Sequence, residues 1–85
     1  MITVRRLMAK RCPYVDETDV GTLTITAARD APELHTLAAE IDKIAAEPIS
    51  HEDFTRAVAN RLPAGARVLW ETRTGAWDVE VRETA

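Results

Sequence analysis

Eighty-five residues, 46 % apolar and 29 % charged with a net charge of −3, describe a single domain over residues 1–85 with a small core. No apolar run approaches the roughly 20 residues that span a bilayer, Met1 to Arg6 lacks the apolar segment of a secretory signal, and the one cysteine cannot close an intrachain disulfide. These features predict a cytoplasmic protein with no membrane partner, and the acidic balance argues against a general nucleic-acid binder.

Ile2 to Ala9 includes β-branched residues and no turn former, which predicts a strand. Charge is uneven here: Arg5, Arg6, Lys10 and Arg11 place four positive charges and no negative one in the first eleven residues. They read either as a solvated strand face or as a local patch that tracks phosphates. A loop follows around Cys12-Pro13, with Asp19 at its far end. From Gly21 to Ala28 the chain alternates, Leu23, Ile25 and Ala27 on one face and three threonines on the other, the pattern of a half-buried strand.

Asp30-Ala31-Pro32-Glu33 is a helix start, with Asp30 as its cap and Pro32 in the first turn. Leu34, Leu37, Ala38, Ile41, Ile44 and Ala45 then form an apolar stripe that ends before Pro48. A second helix starts at a Ser50 cap, buries Phe54, Ala57, Val58 and Leu62, and ends at Pro63-Ala64-Gly65. Arg67 to Arg73 and Ala76 to Glu83 are strands joined at Thr74-Gly75. In the last of them Trp77, Val79 and Val81 make a dry face, and both tryptophans, Trp70 and Trp77, are expected in the core or at an interface. The predicted fold is α+β, in the order ββααββ: a four-stranded antiparallel sheet with two helices on one side. Both sheet edges are open, which invites pairing between copies and closure of a ring. A pocket is then expected between subunits, where the Cys12 loop of one chain meets the second helix of the next.

A lone cysteine is a small buried apolar residue, an accident of sequence, or a nucleophile. Lys10 and Arg11 place positive charge beside the thiol, and Pro13 holds it in a loop. A thiol with the Asp19 carboxyl in reach is the least equipment for adding sulfur across a polar multiple bond. At the second helix start, Glu52 and Asp53 read either as complements to the helix dipole or, with His51, as part of a site.

Cys12-Pro13, Asp19 at its spacing, the strand from Gly21 and the triplet His51-Glu52-Asp53 together resemble the QueF family. These are nitrile reductases of the tunnelling-fold superfamily that act on 7-cyano-7-deazaguanine, with archaeal QueF-like relatives that add ammonia to the same nitrile in tRNA. The resemblance runs from about Cys12 to Val81. It implies that Cys12 attacks the nitrile to form a thioimide, that Asp19 donates a proton to the nitrogen and that His51 assists. It implies further that Glu52 binds the guanine-like edge of the base, and Glu33 counts with it as a substrate-binding candidate. It also implies a ring-shaped homo-oligomer, a pentamer or decamer.

The chain departs from the reductases where they carry the signature associated with NADPH. Along Glu33-Leu34-His35-Thr36-Leu37-Ala38-Ala39-Glu40 only Glu33 is kept: His35 and Ala38 replace the two lysines and Glu40 replaces an aromatic. Thr72-Arg73-Thr74-Gly75-Ala76 stands where the family has arginine-glycine-glycine. No cofactor is therefore expected, and the leading expectation is an amidine-forming enzyme, with Arg5, Arg6, Lys10 and Arg11 suited to a base carried in tRNA or DNA. NADPH-dependent reduction is the alternative within enzymes, and a deazaguanine-binding or assembly protein without turnover is the alternative outside them. Zinc, used by other enzymes of the superfamily, would have Cys12, His35 and His51 as ligands, but their spacing matches no zinc motif and no metal is expected.

Overall fold

A computed structural model describes residues 1–28 and 33–85. The chain runs β1 (Ile2–Arg11), β2 (Thr18–Ala27), α1 (Leu34–Ala46), α2 (His51–Ala59), β3 (Arg67–Thr74) and β4 (Trp77–Thr84). The strands form one antiparallel sheet in the order β1-β2-β3-β4. This is the expected α+β, ββααββ arrangement, a topology like that of the tunnelling fold.

Strand alternation decides which face the helices cover. Leu23, Ile25 and Ala27 in β2 are buried, as are Val68 and Trp70 in β3, and the register sets Leu23 opposite Trp70 and Ile25 opposite Val68. Leu37, Ile41 and Ala45 of α1 and Phe54, Val58 and Ala59 of α2 close the core over them. Phe54 meets Trp70 edge to face, with ring centroids 5.0 Å apart, a favoured aromatic geometry. The opposite face of the sheet is open and carries the threonines of β2 and Arg5, Arg67 and Arg82.

Gly21 is required by a close approach. A Cβ there would press on the Glu71 carbonyl oxygen and lie 2.9 Å from the Cη2 of Trp70. Gly21→Ala is therefore expected to destabilise the domain by about 1–3 kcal/mol, the usual cost of overpacking. A chemical melt checks this, and an unchanged midpoint would contradict the packing described.

Several expectations need correction. β1 continues past Ala9 to Arg11, and β2 begins at Thr18, so Asp19 lies inside a strand, directly opposite Lys10, and not in the loop. The cap expected at Asp30 and the turn at Pro32 lie outside the described residues. Within them, Glu33 caps α1, its carboxylate accepting from the backbone N–H groups of His35 and Thr36. The α2 helix ends at Ala59, although Leu62 beyond it still packs on the core. Trp70 is core as expected, and Trp77 is not core but 76 % exposed in the single chain, because β4 is an edge strand and α2 leaves its start uncovered. No helix among the described residues is long and apolar enough to cross a membrane.

Candidate functional site

One end of the sheet gathers three pieces of chain. The β1–β2 loop and the β3–β4 turn both lie there, since Gly21 pairs with Thr72 and Thr74 with Trp77. Ser50 caps α2 at the same end, its hydroxyl oxygen accepting from the Asp53 N–H at 3.1 Å, which fixes His51 as the first helical residue. The segment before it is tied to β1: the Ile49 N–H donates to the Arg11 carbonyl at 3.2 Å. The loop itself is closed by the Cys12 N–H donating to the Glu17 carbonyl at 3.0 Å.

Lys10 is the unexpected member of this group. In β1 it has the parity of Val4 and Met8, so it faces the helices and is only 1 % exposed. Its Nζ donates to Asp19 Oδ2 at 3.1 Å and to the Ile49 carbonyl at 2.7 Å. A buried ammonium thus has a carboxylate and a carbonyl as partners, as burial of charge demands.

His51 is held from both sides. The Trp70 indole Nε1 donates to Nδ1 at 3.1 Å. Because an indole N–H can only donate, Nδ1 carries a lone pair and the neutral ring keeps its proton on Nε2. Nε2 lies 3.0 Å from Thr74 Oγ1 and 4.0 Å from Asp19 Oδ2. Partial burial pushes the imidazole below its ordinary pKa and the Lys10 charge adds to this, with Asp19 and Glu52 opposing. The ring is therefore a neutral hydrogen-bond donor at pH 7.

Cys12, Lys10, Asp19, His51, Thr74 and Trp77 line one cleft of about 220 Å³. The thiol is half-buried and reaches that cleft. The arrangement brings a free thiol, a carboxylate paired with a buried lysine and a neutral imidazole N–H together within a single chain. The Cys12 loop and the start of α2, expected to meet between subunits, already meet within the chain, because α2 starts at the end of the sheet where that loop lies. A second cleft of about 230 Å³, between α1 and the first two strands and lined mainly by aliphatic residues, contains no nucleophile.

Cys12, Asp19 and His51 are brought together. Glu52 is exposed beside them and does not line the cleft. Glu33 is not at this site. It is engaged by its own helix, and bonds from the His35 and Thr36 N–H groups lower its carboxyl to about 2.

The four basic residues do not share a surface. Arg6 and Lys10 point to the helix side, Arg6 reaching Asp42 at 2.7 Å, while Arg5 and Arg11 point to the open side. Lys10, sealed against Asp19, cannot touch a phosphate, which corrects its place in a phosphate-tracking patch. Of the residues considered as zinc ligands, His35 is exposed on α1 and bonded to Glu33. Among the described residues no three His, Cys, Asp or Glu side chains are grouped to hold a metal ion.

Trp70, Thr74 and Trp77 join the predicted residues at or beside this cleft. Their shared parity with Thr72 along the β3–β4 hairpin was the available signal. Compared with known proteins, the chain matches no family model, no curated protein and no solved structure, so its structural likeness to the tunnelling-fold enzymes is one of ββααββ topology.

Proposed function

We propose that this protein is a QueF-like enzyme: Cys12 adds to the nitrile of a 7-cyano-7-deazaguanine base, free or within a nucleic acid, and ammonia converts the thioimide to a formamidine. The observation that carries this reading is the meeting of Cys12, Asp19 and His51 in one cleft. Asp19 is the partner of a buried ammonium, so it starts as an acceptor. It takes the thiol proton, the sulfur bonds to the nitrile carbon, and the same proton passes from Asp19 to the nitrogen. Sulfur and hydrogen are thereby added across the triple bond, with the His51 Nε2–H available to the developing negative charge.

Ammonia then bonds to the thioimide carbon, a proton moves to sulfur, and the C–S bond breaks to restore the thiol. Neither step changes the oxidation level, so no reductant is required. Reduction to the aminomethyl base would need hydride from NADPH. Against it, Ala38 replaces one family lysine and His35, in place of the other, is drawn to Glu33, its Nδ1 2.7 Å from the carboxylate. The cleft is smaller than the roughly 300–1,000 Å³ of typical small-molecule sites, and β1 and β4 are open edges. A neighbouring copy in a ring would enlarge the cleft and bring further groups to the base, Glu52 among them.

Intact-mass measurement after incubation with 7-cyano-7-deazaguanine tests the first step. The expected result is an adduct of the whole base on the wild type, none on Cys12→Ala, and discharge by ammonia. Absence of the adduct, or an equal one on Cys12→Ala, would overturn the reading. Discharge only by NADPH would favour reduction, and binding without an adduct would favour a non-catalytic binding protein.

A further inference from the structure

We propose that Trp77 is a stacking platform that makes this cleft selective for a planar heteroaromatic ring. The inference rests on the reading above, that the cleft receives such a base, and goes beyond it by naming the side chain that selects the ring. Trp77 opens β4 at the tip of a hairpin and pairs across it with Thr74, the residue that bonds His51. It lies on the helix side of the sheet, where its strand neighbours Val79 and Val81 are half-buried, yet 76 % of it is exposed.

No other aromatic ring among the described residues pairs with it; the one ring pair is Phe54 with Trp70. Tyr14, from the tip of the other hairpin at the same end of the sheet, also lines the cleft and is 84 % exposed. Lys10 and Asp19, both buried, also line the cleft. An uncovered indole on a cleft whose exposed lining is almost wholly apolar, with the His51 ring and the Thr74 hydroxyl among its few polar groups, suits a ligand with a flat apolar face. An aliphatic nitrile would use the thiol but not the indole.

Stacking on an aromatic side chain is worth enough to change affinity by about 5- to 150-fold. The test uses 7-deazaguanine, which has the ring but no nitrile, so that binding is separated from covalent chemistry. Calorimetry is expected to show saturable binding to the wild type, nearly retained in Trp77→Phe and weakened by about 5- to 150-fold in Trp77→Leu. Emission from Trp70, the remaining tryptophan in both variants, reports that each is folded.

Equal affinity in Trp77→Leu and Trp77→Phe, or no binding to the wild type, overturns the proposal. So does a loss of oligomer mass in Trp77→Leu with affinity per folded chain unchanged, which would make the indole an interface residue. Trp77-dependent ring binding without any Cys12 adduct from the nitrile base would leave the platform standing and remove the nitrile chemistry. An adduct that forms with the same half-saturation in Trp77→Leu would do the reverse.

Discussion

Lys10→Met is expected to cost about 3–5 kcal/mol of folding stability, the range found when one partner of a buried ion pair is removed. The Lys10 and Asp19 side chains sit directly across the β1–β2 ladder at 0 % and 8 % exposure, 3.1 Å apart. Methionine fills much the same space and removes the charge together with its N–H donors. It leaves the Asp19 carboxylate buried without a counter-charge and the Ile49 carbonyl without its 2.7 Å donor.

A domain of this size has roughly 4–13 kcal/mol in total, so the variant would stand near the edge of folding. With an m-value of about 1–2 kcal/mol/M its urea midpoint should fall by roughly 2 M or more. Lys10→Met combined with Asp19→Leu should recover most of the loss, since a buried pair exchanged for apolar groups is often neutral. A single variant as stable as the wild type would show that the pair is solvated. The same pair leaves Asp19 an acceptor in the resting cleft, so the double variant should be folded and yet form no thioimide.

The sheet was legible because its central strand is regular: Leu23, Ile25 and Ala27 alternate with threonines, and all three are buried. The helices were legible from Pro48, the Ser50 cap and the apolar stripe through Leu37, Ile41 and Ala45. The loop carrying Cys12 was marked by its own residues. The Lys10–Asp19 pair was not legible, because register is a property of two strands, and the charges at Lys10 and Arg11 conceal that β1 continues through them. The parity of Val4, Met8 and Lys10 held the signal, but Leu7 and Ala9 on the other face blurred it. Glu33 reads both as favourable at the positive end of the first helix and, through the resemblance, as a substrate-binding candidate; its side chain accepts from the first N–H groups of α1. Trp77 follows the apolar pattern of its strand, but burial depends on helix coverage, and the chain pattern does not say where α2 stops covering the sheet.

The second large effect is expected at Trp70, which serves both the core and the imidazole. Its ring is fully buried against Phe54, and Trp70→Ala should cost about 3–5 kcal/mol by emptying that space. Trp70→Phe separates the two roles, because it keeps much of the packing while removing the indole N–H that donates to His51 Nδ1. In the wild type the folded imidazole binds its proton below the ordinary value of about 6.5. The unfolded chain then holds the extra proton first, so stability should fall as pH drops through about 6.5 and keep falling until the folded ring is protonated as well. In Trp70→Phe the freed Nδ1 can accept a proton, so the His51 value should rise toward the ordinary one and the acid-side loss should flatten. Proton NMR titration of the His51 ring and urea melts between about pH 5 and pH 7 read both quantities. A His51 titration identical in the two proteins would mean that burial and the Lys10 charge keep the ring neutral without the indole, and that Trp70 acts on the site through packing alone.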